Sequence, residues 1–219
     1  MVDTGRDIRP DGICGAQGGP PIARHSITDS DSYTAAVKGA HVKAVQLDAG
    51  SDQTVIRTLS GRKIAATSGS ARIPIAHYSS LPDDVVTVAC IHAALPGSNW
   101  CGIDLAPGMI LIYSPSVEHT GVDQAGLEFT FAVATLDQLH QSAERMELPL
   151  MVPERGRVKA IEGKHATGSV RHSFGTLAES LRFREAAAGG IEDDVVWAMV
   201  DVLATSTSTY RSADRSLWN

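Results

Sequence analysis

Residues 127–133 read LEFTFAV, in which Leu127, Phe129, Phe131 and Val133 alternate with Glu128, Thr130 and Ala132. Successive side chains of an extended chain point to opposite faces, so this period of two predicts a strand with one buried and one exposed face. Outward from it, from about 41 to 134, short segments rich in Val, Ile, Thr and aromatics recur: VKAVQLD (42–48), QTVIRTL (53–59), KIAATS (63–68), ARIPIAH (71–77), VVTVACIHA (85–93), WCGIDL (100–105) and MILIYS (109–114). Turn-forming stretches such as AGSD, SGR, SSLPDD, LPGSN, APG and DQAG separate them. Many short strands with closely spaced turns predict an antiparallel sandwich or barrel rather than strand–helix–strand units. Pro74 inside ARIPIAH cannot donate to a ladder, which predicts an edge strand or a bulge there.

Beyond 134 the period becomes helical. Thr135 with Gln138 has the spacing of a capping box, and Leu136, Leu139, Ala143 and Met146 then share one stripe. Phe174, Leu177, Ala178 and Leu181 make a second helical face, and Ile191, Val195, Met199 and Val202 a third. The third is widened by Val196, Val200 and Leu203, with Glu192, Asp193 and Asp194 at the positive end of the helix dipole. A stripe this broad exceeds what one small neighbour covers, which predicts a homodimer interface centred on Val195, Trp197, Met199 and Leu203. The expected organisation is a mobile N-terminal arm (1–28, rich in Gly, Pro, Asp and Arg), a barrel domain (29–147), a locally basic linker (148–168), a helical dimerisation region (169–205) and a polar tail (206–219). A short helix is expected over 31–38.

Composition bounds the function. The 219 residues are 43% apolar and 20% charged, ordinary for a chain with a packed core, and Gly and Pro number only 20 and 10. The formal charge of −6 and the pI of about 5.7 give no basic footprint for a phosphate backbone. No apolar run reaches the ~18–20 residues of a membrane-spanning helix, and the charged N-terminal stretch has no apolar signal segment. Cys14, Cys90 and Cys101, an odd count without a CxxC pair, fit neither a disulfide framework nor a paired-cysteine zinc site. A reducing, cytoplasmic compartment and no membrane partner are the expectation.

The chain contains no GxSxG, HExxH or GxxxxGK[ST] motif, and Gly12, Gly15 and Gly18 follow no strand that would make them a dinucleotide fingerprint. GIDLAPGMILIYSPSVEHTG (102–121) resembles the second half of a cupin motif, in which a Pro-Gly turn leads a strand to a Pro and then a His. The first half, a pair of histidines one residue apart, is missing, and His119 with a neighbouring Glu118 cannot fill a coordination sphere. No metal and no cofactor are therefore expected, and no catalytic residue. The candidate ligand contacts are His77, His92, Trp100, Tyr113, His119 and Phe129; each has a plain structural alternative, as core aromatic or hydrogen-bonded histidine.

A polar arm, a barrel with PGMILIYSPSVEHT near its end, a short helix after the last strand and a two-helix tail resemble the amino-terminal effector-binding and dimerisation domain of AraC-type transcription regulators. The runs 61–93 and 100–139 carry the resemblance, which extends over about 29–205. It implies a fold that is mainly β with C-terminal α: an antiparallel, cupin-like jelly-roll barrel followed by a helical dimerisation region. It also implies a small-molecule effector, a homodimer, no enzymatic activity, and contact with DNA only through a C-terminal helix-turn-helix domain missing from this chain. The alternative from a different class is a small cupin-like enzyme of isomerase or dioxygenase type, which requires converging polar groups and usually a metal.

Overall fold

The computed structural model describes residues 22–28, 32, 41–48, 54–163, 168–183 and 191–205. Two antiparallel sheets face each other. The larger has the order β1 (Ile22–Ile27), β3 (Thr54–Ser60), β4 (Ala65–Ser70), β11 (Glu128–Thr135), β6 (Val85–Ala93), β9 (Ile110–Tyr113), β12 (Val158–Ile161). The smaller has the order β2 (His41–Gln46), β5 (Ile75–Ser80), β10 (Glu118–Asp123), β7 (Asn99–Trp100), β8 (Ile103–Asp104). Three helices follow: α1 (Leu136–Met146), α2 (Gly168–Phe183) and α3 (Ile191–Thr205). The mainly antiparallel β architecture with C-terminal helices agrees with the alternation read from the sequence. No helix among the described residues is long and apolar enough to cross a membrane.

The period of two explains the layers. On β11, Phe129 faces the smaller sheet with Leu111, Tyr113, Trp100 and Ile103, while Ala132 and Ala134 face outward with Val86, Val88, Ile110 and Ile112. The outward face is covered by α1, through Leu139, and by α2, through Val170, Phe174, Leu177 and Leu181; Val195, Met199 and Leu203 of α3 pack on these helices in the same core. The molecule is thus three layers, with one core between the sheets and a second between the larger sheet and the helices.

The capping box forms as expected: Gln138 N donates to Thr135 Oγ1 at 3.3 Å and Thr135 N donates to Gln138 Oε1 at 3.0 Å. The helix ends where Glu147 turns left-handed at φ 53° and Leu148 N returns to the Ala143 carbonyl at 3.0 Å. The first turn of α3 is tied to the β3–β4 turn. Glu192 Oε2 accepts from Lys63 N at 2.7 Å, and Lys63 Nζ pairs with Asp193.

Four expectations are corrected. The end of the supposed mobile arm, Ile22–Ile27, is an edge strand paired with β3. It is held by a backbone ladder, which composition does not reveal. The supposed linker contains β12, paired with β9, whose buried Val158 and Ile161 sit on opposite faces and so leave no period-two signature. Pro74 precedes β5 rather than interrupting it, its carbonyl accepting from Leu47 N at 2.9 Å, and β5 lies between β2 and β10, not at an edge. Val195, Met199 and Leu203 are fully buried within the chain, so the wide stripe of α3 is covered by α1 and α2. Of the four residues read as a dimer interface, only Trp197 reaches solvent, at 49% exposure. The expected 31–38 helix, apart from Ser32, and the 206–219 tail lie outside the described residues.

Candidate functional site: the inner wall of the barrel

On β10, residues 119, 121 and 123 point inward, and the register sets Gly121 opposite both His77 of β5 and Trp100 of β7. The two rings close over Gly121: a Cβ there would stand 2.6 Å from Trp100 Cδ1 and 2.7 Å from His77 Cε1. Glycine is what permits this approach. Beside it Asp123, 2% exposed, accepts from Trp100 Nε1 at 2.7 Å, and its same Oδ1 lies 3.1 Å from His77 Nε2.

His119 stacks on His77 with ring centres 4.9 Å apart and 12° between planes, and meets Trp100 edge-on at 5.3 Å. Cys101 follows Trp100 with a left-handed φ of 52°, and its N–H donates to the Thr120 carbonyl at 2.7 Å. That turn carries Sγ to 3.9 Å from His119 Nδ1. From the larger sheet, Tyr113 meets His119 at 5.1 Å, and Phe129 meets Trp100 edge-on at 5.1 Å. Phe129 and Phe131 lie parallel, 5.9 Å apart. Two hydroxyls complete the wall, Tyr113 OH and Thr87 Oγ1; both are buried without a hydrogen-bond partner among the described residues.

Burial governs the electrostatics. It holds the His119 imidazole well below the ordinary histidine range, and the neighbouring His77 lowers it further. It pushes the Tyr113 phenol well above its usual value, with Cys101 and Asp123 adding to the effect. It raises the Cys101 thiol to about 11, against a lowering from the Thr120 backbone bond. At neutral pH these three groups are uncharged. The arrangement is a wall of aromatic faces with neutral polar atoms and one carboxylate, Asp123, already engaged by Trp100; it is suited to holding a small molecule rather than to generating a nucleophile.

The structure therefore brings together His77, Trp100, Tyr113, His119 and Phe129. It does not bring His92 to them. Ile91 points inward, so His92 points out of the barrel, where its Nε2 lies 3.0 Å from Thr130 Oγ1. Burial lowers its pKa, while Glu128 raises it and Arg182 lowers it. Asp123, Gly121, Thr87 and Cys101 are further wall residues to which no sequence motif points. His119, Gly121 and Asp123 do alternate in VEHTGVD, a signal masked because Asp123 begins the turn-like DQAG. Among the described residues no three His, Cys, Asp or Glu side chains are placed to hold a metal ion. A separate groove of about 460 Å³ runs among the helices, lined by Met146, His172, Thr176, Ile191, Trp197 and Asp201, among others.

No protein-family model matches the sequence, and no curated protein does. Among solved structures, the crystal structure of the AraC-like transcriptional activator CuxR is similar at a TM-score of 0.52 and 13% identity, covering 89% of this chain and 73% of that one. An RmlC-like cupin from Shewanella frigidimarina NCIMB 400 has a TM-score of 0.30 and 15% identity over 40% of this chain and 80% of its own. At such identities the likeness is one of fold: the chain shares the barrel-and-helix architecture of an AraC-like transcriptional activator.

Proposed function

We propose that the chain is the ligand-sensing and dimerisation module of an AraC-type transcription regulator, acting on transcription through a DNA-binding half outside this sequence. One observation carries the reading. In a barrel with the fold of an AraC-like activator, the inner wall holds buried polar groups, two of them unpartnered hydroxyls. An interior selected for stability alone would be apolar, since each unsatisfied buried polar group costs about 1–3 kcal/mol. A bound molecule supplies the missing partners. The α3 contact with the β3–β4 turn links the wall to the helices, because β4 lines the interior at Gly69. For signalling, the ligand must favour one arrangement of the helices over another, since equal affinity shifts nothing.

A thermal-shift screen of small metabolites tests the reading. A ligand at a hundred times its Kd stabilises by about 2.7 kcal/mol and raises the melting temperature. A hit that occupies the barrel supports the sensor; a stoichiometric transition metal in the purified protein would favour the cupin-like enzyme instead. For the dimer, Trp197 beside the helical groove is the exposed side chain that a second copy would cover. Sedimentation should show a wild-type dimer and a folded, monomeric Trp197→Glu variant; a monomeric wild type removes dimerisation from the proposal.

A further inference from the structure

The charge on the inner wall narrows what the proposed sensing site can take. Every described Lys and Arg is solvent-exposed except Arg57 and Lys159. Arg57 stands opposite Ser68, between the inward positions of Thr67 and Gly69, and Lys159 stands opposite Ile112, between those of Leu111 and Tyr113. Both therefore point out of the barrel. No lysine or arginine among the described residues faces the interior. Its one carboxylate among those residues, Asp123, already accepts from Trp100 and faces His77. A carboxylate entering this space would lose its water beside another carboxylate with no guanidinium or ammonium to meet it.

The unpartnered hydroxyls state what the wall asks for instead. Thr87 and Tyr113 stand directly opposite each other in the β6–β9 register, at 5% and 3% exposure, so their side chains line one patch of the inner face. Val133 is paired with Thr87 and Phe131 lies two residues along; both face inward beside the patch and are half-buried. The parallel rings of Phe129 and Phe131 and the edge of Trp100 suit a flat, largely apolar body.

We propose that the barrel takes an uncharged, flat ligand whose hydrogen-bond acceptor receives the Tyr113 O–H beside Thr87, and that it discriminates against charged molecules of the same shape. This rests on the sensing reading above and adds the chemical class. Three probes of one skeleton test it: benzamide, benzoate and benzamidinium, titrated by calorimetry at neutral pH into the wild type and Tyr113→Phe. Benzamide is expected to bind the wild type at least tenfold more tightly than either charged analogue. Tyr113→Phe is expected to lose tenfold or more in benzamide affinity while unfolding in urea at or above the wild-type midpoint, because it deletes an unpartnered hydroxyl. A charged analogue binding as tightly as benzamide, an unaltered affinity in Tyr113→Phe, or no benzamide binding at millimolar concentration overturns the proposal. An anionic metabolite found in the barrel would overturn the ligand class and leave the sensor standing. If no compound of any charge binds, both fall.

Discussion

Trp100 and Asp123 are joined across the small sheet by an indole-to-carboxylate hydrogen bond of 2.7 Å, with both side chains nearly sealed from solvent. The same carboxylate oxygen faces His77, so one acidic group orients two rings of the wall. A charge buried at this depth persists only where donors replace its water. The pair thus holds the wall in shape.

Removing that carboxylate should therefore weaken the whole fold. Asp123→Ala leaves the Trp100 N–H without its acceptor and is expected to cost about 3 kcal/mol, with Asp123→Asn costing about half as much. Urea unfolding measures both. A loss below about 1 kcal/mol in the alanine variant would show that the bond contributes little.

Gly69 and Phe129 should behave as one unit. A Cβ on Gly69 would stand 2.3 Å from Phe129 Cζ, so Gly69→Ala is expected to cost about 1–3 kcal/mol through overpacking. Phe129→Leu removes the ring that causes the clash. The double variant should then be more stable than the sum of the two single losses allows, a coupling read from a double-mutant cycle. Strict additivity would place the strain elsewhere.

His119 makes stability depend on pH. Its folded pKa lies below the unfolded value of about 6.5, through burial first and His77 second. Below that value the unfolded chain takes up a proton that the folded site resists, so stability is highest above pH ~6.5 and falls as pH drops towards the folded pKa. Unfolding free energies at neutral and mildly acidic pH should show a smaller acid loss in His119→Gln than in the wild type. Equal losses would mean that the imidazole protonates as easily folded as unfolded.

The two described cysteines should be nearly inert. Burial raises Cys90 and Cys101 to about 11 each, which leaves little thiolate near neutral pH. In a Cys14→Ser background, both thiols should react with a disulfide reagent about a hundredfold more slowly than a free thiol, and fully after denaturation. Fast reaction of native Cys101 would show that His119, 3.9 Å away, activates it.

Met199 separates two readings of α3. It is fully buried in the core that α3 shares with α1 and α2, so Met199→Ala is expected to lose about 2–5 kcal/mol whatever the protein concentration. A loss that shrinks as concentration rises would return this side chain to a subunit interface.

The class of structure is written locally along the chain. Leu127 to Val133 alternates, Thr135 and Gln138 stand at capping distance, and α2 and α3 carry apolar residues at helical spacing. Each of these signals arises within a few residues, from the geometry of an extended or helical chain, and needs no distant partner. The strands that carry His77, Trp100, Tyr113, His119 and Phe129 were legible for the same reason; that these rings share one wall follows from the pairing and packing of those strands.

Which faces meet is a property of the assembled layers. His92 left the site because its strand turns Ile91 inward, a one-residue parity that composition does not set. Asp123 and Gly121 entered it because β10 pairs with both β5 and β7, bringing residues 77, 100 and 121 side by side. Ile22–Ile27 and Val158–Ile161 became sheet edges through ladders to strands far along the chain, with His25 opposite Ile56 and Val158 opposite Tyr113. Pairings over such distances depend on where the rest of the chain has placed the partner strand. Val195, Met199 and Leu203 were legible as an apolar face, yet whether that face met a second copy or the chain's own helices depended on where α1 and α2 lie on the sheet. Hydrophobic patterning states that a face must be covered; the packing of the layers states by what.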